Sequence, residues 1–391
     1  MRLGMFMMPL HPAGRPMRSC LAEDTEKAIL LDSLGYDELW VGEHFTARTE
    51  PYPSPLMFMT SLLPHTSKLK FGIGVVNAPN HHPARTAAEA AQFDHMSGGR
   101  FILGVGTGSL PTDSEVLGVQ ADSATKGRML IEHIEMIERI WAEDPPYDFQ
   151  GEFWRVKLKD TMFPDVGFGF LPKPLQQPRP PICVPSATPN SKSTYECGRR
   201  GWGPISSALL PGAALGNHWK NYRQGCTDAG RTIDPGNWRV ARSVLVAPTD
   251  ADARARALSP DGAQRFFFNH FFKIFGRARQ LDVVRPRPGM PDDDITVDGI
   301  IESRLIYGSP QTVAAKLVGL RKQAGPFGTL LVSGMDWSGP NAAWEKESLT
   351  LLAKEVMPIV RKETVLESTE LALPLPLQGE RVGVRGASTS K

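Results

Sequence analysis

Three short stretches carry residues whose types and spacing suit chemistry. Glu43-His44-Phe45 follows the apolar run Leu39-Trp40-Val41-Gly42. A histidine just past the C-terminal end of a strand sits where barrel active sites lie, and a neutral imidazole there can take or give a proton near pH 7. The competing reading of His44 is a side chain that only caps the strand. Glu43 would orient that ring or hold nearby backbone. The second stretch, Ser186-Ala187-Thr188 with Ser191 and Ser193 beyond it, leaves an apolar run and opens a helix. Free N–H groups and hydroxyls at a helix start favour an anion, and the same residues also serve as ordinary caps. The third stretch is Gly104-Val105-Gly106-Thr107-Gly108. Counted from Gly106 and Gly108, the third glycine of a dinucleotide fingerprint is Pro111, and no helix is expected directly after it. A glycine-rich strand end beside a ligand fits better. His81 and His82 are adjacent and would point apart, so no metal site is expected.

The elements that must hold these stretches read as strands alternating with helices. Phe71 to Val76 is a short apolar run. Pro83 opens a helix with alanines at helical spacing, and Gly98-Gly99 stops it. Phe101 to Val105 is a second apolar run, so the unit is strand, crossover helix, parallel strand. Similar runs at Arg2 to Met8, Leu39 to Gly42, Pro181 to Pro185, Trp202 to Ser206, Arg239 to Ala247 and Thr329 to Ser333 bring the strands to eight. Helices are expected at about Ala22 to Leu34, Pro55 to Leu63, Ala124 to Ala142, up to Arg200, Ala213 to Ala229, Ser309 to Gln323 and Asn341 to Arg361. In the long helix, Glu132 is expected to face water. Eight strands alternating with helices predict a (β/α)8 TIM barrel. Residues 145 to 181, rich in proline and aromatics, form an insertion with a turn at Gln150-Gly151-Glu152. The barrel domain should span residues 1–363. Residues 364–391 have no sustained period and are expected to be a disordered tail.

Composition narrows the partners. The chain has 391 residues, 41% of them hydrophobic, and a formal net charge of +2. That balance argues against nucleic acid and an anionic membrane. No apolar run is long enough to span a bilayer. The N-terminal run is broken by Pro9, His11 and Pro12, so it reads as a strand and not a leader. Cys20, Cys183, Cys197 and Cys226 form no Cys-x-x-Cys pair, and reduced thiols in a cytoplasmic protein are expected. Phenylalanines between Phe266 and Phe275 belong either to a core or dimer contact, which is preferred, or to an apolar substrate pocket.

Several segments together resemble the bacterial luciferase-like monooxygenase family. They are Leu39 to Phe45, His82-Pro83-Ala84-Arg85, Ser97 to Gly106, Gly151-Glu152-Phe153-Trp154 and Tyr307-Gly308-Ser309-Pro310. The likeness is strongest to members acting on terpenes or alkanes. It implies a barrel that binds reduced FMN supplied by a flavin reductase, activates dioxygen and oxygenates a small apolar organic substrate. It also implies a homodimer. By the same resemblance, His44 lies near the flavin ring and Asn77 meets the ring's polar edge, beside an unusual peptide bond. Asn77 is otherwise a turn residue. The turn Ser186-Ala187-Thr188, with Ser191, would hold the phosphate. Many members carry arginine where Thr107 stands, which leaves Arg128 as a substitute cation or as a solvated surface residue. Two other functions stay open on this barrel: a deazaflavin-dependent oxidoreductase, and a flavin-binding protein without catalysis.

Overall fold

Each expected apolar run becomes a stave of one closed barrel. The computed structural model describes residues 1–370. We number the barrel strands β1 (Arg2–Met7), β2 (Glu38–Val41), β3 (Lys70–Ile73), β4 (Phe101–Gly106), β5 (Ile182–Ser186), β6 (Gly203–Ser206), β7 (Arg239–Arg242) and β8 (Thr329–Ser333). Neighbours pair in parallel around the ring, with β1 returning to β8 through Gly4↔Leu331 and Phe6↔Ser333. Contact between β3 and β4 through Phe71↔Phe101 completes it. The (β/α)8 barrel read from the sequence is therefore the observed fold. Parallel strands need helical crossovers, and the covered faces explain why the strands read as near-continuous apolar runs.

The third run breaks after Ile73. The Gly74–Val75 peptide is cis, and Val76–Asn77 then pairs with Val105–Gly106. This is the unusual peptide bond the resemblance implied. The seventh run also divides. Its pairing with β8 ends at Arg242↔Val332, and Val244–Val246 leaves the barrel to pair with Ile306–Gly308. Buried backbone N–H and C=O groups must find partners somewhere, and the side ladder supplies them. The first helix starts earlier than expected, at Met17, because its first turn is polar and shows no apolar period. The closing helix is interrupted by a wide turn at Leu352–Val356 and continues as Met357–Glu370. Residues 371–391 of the expected tail lie outside the described residues.

The insertion contains the antiparallel hairpin Tyr147–Gln150 with Arg155–Leu158. Its turn is sealed by Glu132, whose carboxylate accepts from the N–H groups of Glu152, Phe153 and Trp154 at 2.7, 3.0 and 2.9 Å. The expectation that Glu132 faces water is thus corrected. Periodicity puts it on a polar face, and the hairpin folds back over that face.

The barrel interior is filled around Trp40. Its indole faces Gly72 and Gly104, where a Cβ would lie 2.4 and 3.0 Å from the ring. Below it, Glu38 and Arg239 form a buried bidentate pair at 2.7 and 2.8 Å. Trp40 Nε1 donates to the same carboxylate at 2.9 Å. Burial alone would raise the Glu38 carboxyl, but the Arg239 charge and the hydrogen bonds hold it below its ordinary value. At the rim, His11 donates to Asp336 at 2.7 Å and to Asp24 at 3.0 Å, joining the loop after β1 to the first helix and to the loop after β8.

Two measurements test these buried ion pairs. Arg239→Met should lower stability by about 3–5 kcal/mol in denaturant unfolding, because it strands a buried carboxylate, and Glu38→Gln added to it should recover part of the loss. Additive losses would sink the pairing. For His11, burial opposes the charged form, but the two carboxylates win and raise its pKa to about 9. A raised folded-state pKa stabilises fully below the unfolded value and ceases to do so as pH passes through the folded one. The stability advantage over His11→Asn, on the order of 3 kcal/mol, should therefore hold at pH 6 and fade between pH 7 and 10. A gap independent of pH would contradict this.

Candidate active site

The loops at the C-terminal ends of β1 to β5 enclose a cavity of about 420 Å³. Phe6 and Met8 form its floor and one wall, and Val75, Leu130 and Val184 add apolar surface. His44, Glu50 and Asn77 border it on one side. Thr107 and Gly108 lie just past β4, and Ala187, Thr188, Ser191 and Ser193 border the side after β5. Space for a flat ligand depends on glycine. A Cβ on Gly106 would meet Val75 at 2.4 Å, and one on Gly74 would meet the Phe6 ring at 2.9 Å. A larger groove of about 720 Å³ lies outside the barrel between helices Pro55–Leu62 and Pro83–Met96. It shares Glu43 with the cavity but not His44 or the β5 turn.

His44 is held by a residue that the sequence reading missed. Asp113 sits on a short helix, Pro111–Val116, where a loop was expected. Pro111 at the first helical position was the available signal. Asp113 Oδ2 meets His44 Nδ1 at 2.9 Å, while Oδ1 accepts from the Phe45 and Thr46 N–H groups at 3.1 and 2.9 Å. The Thr46 hydroxyl adds a bond of 2.6 Å. Burial pushes the Asp113 carboxyl up, but these donors outweigh it and hold the group below its ordinary value. An ionised Asp113 fixes the hydrogen on Nδ1 and turns Nε2 toward the cavity. Nε2 lies 3.6 Å from Glu50 Oε2, a buried atom without a hydrogen-bond partner among the described residues. Burial raises the Glu50 carboxyl above its ordinary value, with His44 opposing and Asp113 adding to the shift.

Glu43 does not orient the His44 ring. Its Oε1 accepts from His81 Nε2 at 2.9 Å and from the Asn77 amide at 3.3 Å. Asn77 also donates to the Glu43 carbonyl at 3.3 Å, so its NH₂ group is engaged inside the protein. His82 turns the other way and caps helix Pro83–Met96. The two histidines diverge as expected.

On the β5 side, Ser186 lies behind the cavity wall. Its hydroxyl meets Ser193 Oγ at 2.7 Å, and Ser193 meets Ser191 Oγ at 2.7 Å. Ser191 is the N-cap of helix Lys192–Arg200 and makes no side-chain cap bond to it. Ser193 donates to the Pro185 carbonyl at 3.2 Å, and the first N–H groups of that helix stand with the Ser191 hydroxyl beside the cavity, an arrangement suited to an anion. Arg128 is not there. It is exposed on the outer surface and pairs with Glu152 at 3.0 Å, so the surface reading of that residue is the observed one. The phenylalanine helix, Ala263–Arg277, buries Phe267, Phe268 and Phe271 against Leu10, Leu245, Ile300, Ile301 and Met335. None of its side chains lines the cavity, which agrees with the core reading.

Residues 1–326 match the model of the luciferase-like monooxygenase family. The chain belongs to that family. It is 33% identical over 367 residues to 4-hydroxyprotoasukamycin monooxygenase of Streptomyces nodosus subsp. asukaensis, covering 91% of each chain. Limonene 1,2-monooxygenase of Rhodococcus erythropolis is 29% identical, with 91% of this chain and 85% of the relative covered. Among solved structures it resembles the oxygenating constituent of 3,6-diketocamphane monooxygenase from Pseudomonas putida, a type II Baeyer-Villiger monooxygenase in complex with FMN. That match has a TM-score of 0.82 and 26% identity, covering 92% of this chain and 98% of the other. The family and the monooxygenase class named from the motifs both stand. Among the described residues no helix is long and apolar enough to cross a membrane.

Asp113→Ala should free the loop after β2 while leaving the barrel intact. Amide exchange at Phe45 and Thr46 should rise by about tenfold or more, since each lost hydrogen bond is worth on the order of 1 kcal/mol. Unchanged protection would show that other contacts hold the loop.

Proposed function

We propose that this enzyme binds reduced FMN in the cavity and uses dioxygen to oxygenate a small apolar substrate. The observation that carries the reading is a single cavity bounded by a carboxylate-held histidine on one side and an anion-ready helix start on the other. The FMN-bound relative supports the choice of cofactor, and the limonene and diketocamphane relatives support the substrate class. The residues present fit the group. The cavity volume is within the range for cofactor sites, its walls combine apolar side chains with a few polar groups at two edges, and Gly106 leaves room that a Cβ would fill.

Reduced FMN, when bound, supplies the electrons that activate dioxygen. The protein's part is binding, orientation and proton control. Ser191 and the helix N–H groups would hold the phosphate, and Ser193, which donates to the Pro185 carbonyl, would support Ser191. Ala187 and Thr188 form the turn beside it, and Ser186 braces Ser193. Asn77 offers Oδ1 as an acceptor, since its NH₂ group is engaged by Glu43. His44 takes or gives a proton at Nε2, with Asp113 holding Nδ1. Phe6, Met8 and Val75 keep water from the reacting region. Thr107 brings no charge, so no cation after β4 is assigned to the phosphate.

The same reading includes a separate flavin reductase, a homodimer and a cytoplasmic location, with residues 1–363 as the catalytic unit. Four buried free cysteines suit a reducing compartment.

The test uses purified protein, reduced FMN, ¹⁸O₂ and a panel of cyclic terpenes and ketones. One labelled oxygen atom should enter a product. His44→Ala should keep FMN affinity within about threefold and lower turnover by about 10²–10⁴-fold. Undiminished turnover would remove His44 from the mechanism. Preferential binding of a deazaflavin over FMN would replace the monooxygenase reading with the hydride-transfer one.

A further inference from the structure

Behind the β5 turn runs a chain of buried hydrogen bonds whose two ends have fixed directions. Trp238 Nε1 lies 2.9 Å from Ser206 Oγ. An indole N–H can only donate, so Ser206 accepts there. Ser206 Oγ lies 2.8 Å from His218 Nδ1, and its remaining hydrogen is free to point at that nitrogen. His218 Nε2 lies 2.8 Å from the carbonyl oxygen of Thr188, which also accepts from the Ser191 N–H at 3.2 Å. A carbonyl can only accept, so Nε2 carries the hydrogen, and in a neutral ring Nδ1 then accepts from Ser206. All three side chains of this relay are fully buried. Burial, the largest influence, lowers the His218 pKa. The bond to Thr188 opposes that shift, and the nearby Arg242 charge adds to it. Burial thus favours the neutral ring, in which Nδ1 accepts from Ser206.

The Thr188 carbonyl matters because the next residue, Pro189, has no N–H. The Thr188–Pro189 peptide can therefore offer a ligand only its oxygen, the negative end of its dipole. Turned toward the cavity, that oxygen would repel an anion. Helix Leu215–Asp228 grips the same turn at two further places. Asn217 donates to Asn190 Oδ1 at 2.9 Å, and Asn221 donates to the Ser191 carbonyl at 3.4 Å. His218 ties that grip to the barrel strands, through Ser206 on β6 and Trp238 next to β7.

We propose that His218 is a positioning residue: it pins the Thr188 carbonyl away from the cavity, so the turn meets its ligand with N–H and O–H groups and selects a phosphorylated flavin over an unphosphorylated one. The inference rests on the FMN reading above. It matters more here because no Lys or Arg among the described residues lines the cavity, and selectivity falls to oriented neutral donors.

The test compares Kd for FMN and riboflavin by fluorescence quenching in the parent protein, His218→Leu and His218→Gln. The parent should prefer FMN. In H218L the preference should drop about tenfold, the equivalent of one lost hydrogen bond, with riboflavin affinity unchanged. In H218Q the amide nitrogen can still donate to Thr188, and most of the preference should return. A general loss of packing would weaken both flavins together, so equal losses, or an unchanged preference, would overturn the proposal. Imidazole ¹⁵N NMR of the parent protein needs no variant. It should show the Nε2–H form of His218, and the Nδ1–H form would overturn the relay. Failure of the parent to bind either flavin would overturn the FMN reading itself. Binding of both without preference would leave a flavin site and remove only the role of His218.

Discussion

The buried pair of Glu38 and Arg239, capped by Trp40, is the constraint on which the structure depends. A parallel barrel closes only if its interior is filled, because an empty centre forfeits dispersion contacts on every strand. Here one indole fills the middle layer, and the glycines opposite it supply the matching space. The pair beneath it joins β2 to β7 across the interior. Burying either charge alone would be costly, and bidentate geometry with the indole N–H offsets that cost. Phe6 forms the next layer and becomes the floor of the cavity. The position of the cavity thus stems from how the barrel is packed.

Above that floor, rigid staves end and loops begin. Their conformations are set by polar contacts between loops. Asp113 holds the loop after β2, Glu43 holds Asn77 and His81, and His11 joins three segments around the first helix. Each is a buried group that shares hydrogen bonds with another segment, and each turns a flexible connection into a defined wall. The same logic extends behind the β5 turn through Trp238, Ser206 and His218. Chemistry at the cavity is therefore prepared at some distance from it. The reacting surface needs few polar atoms, because most are engaged in holding one another.

Much of this was legible in the residues themselves. The alternation of short β-branched runs with alanine-rich or amphipathic helices places most strands within one or two residues. Pro83, Gly98 and Gly99 mark a helix by backbone geometry that no other residues supply as readily. His44 and the hydroxyl-rich turn could be named because both sit at strand ends. The less accurate readings have a common cause. Glu132 sits on the polar face of its helix, and its role emerges only when the hairpin arrives. Arg128 carries the charge a phosphate would need, yet Glu152 is its nearer partner. The seventh run reads as one strand because apolar alternation continues past Arg242, while the neighbouring strand does not.

Local pattern was enough to mark most strands and helices, and so the barrel, since periodicity, proline and glycine act locally. The sequence also determined which residue types were available at the strand ends. Which of them share a cavity was settled by long-range packing. Asp113 meets His44 across 69 positions of chain, and Arg239 meets Glu38 across 201. Such contacts depend on where the barrel's curvature and packing bring separate segments together, and no local pattern encodes that distance.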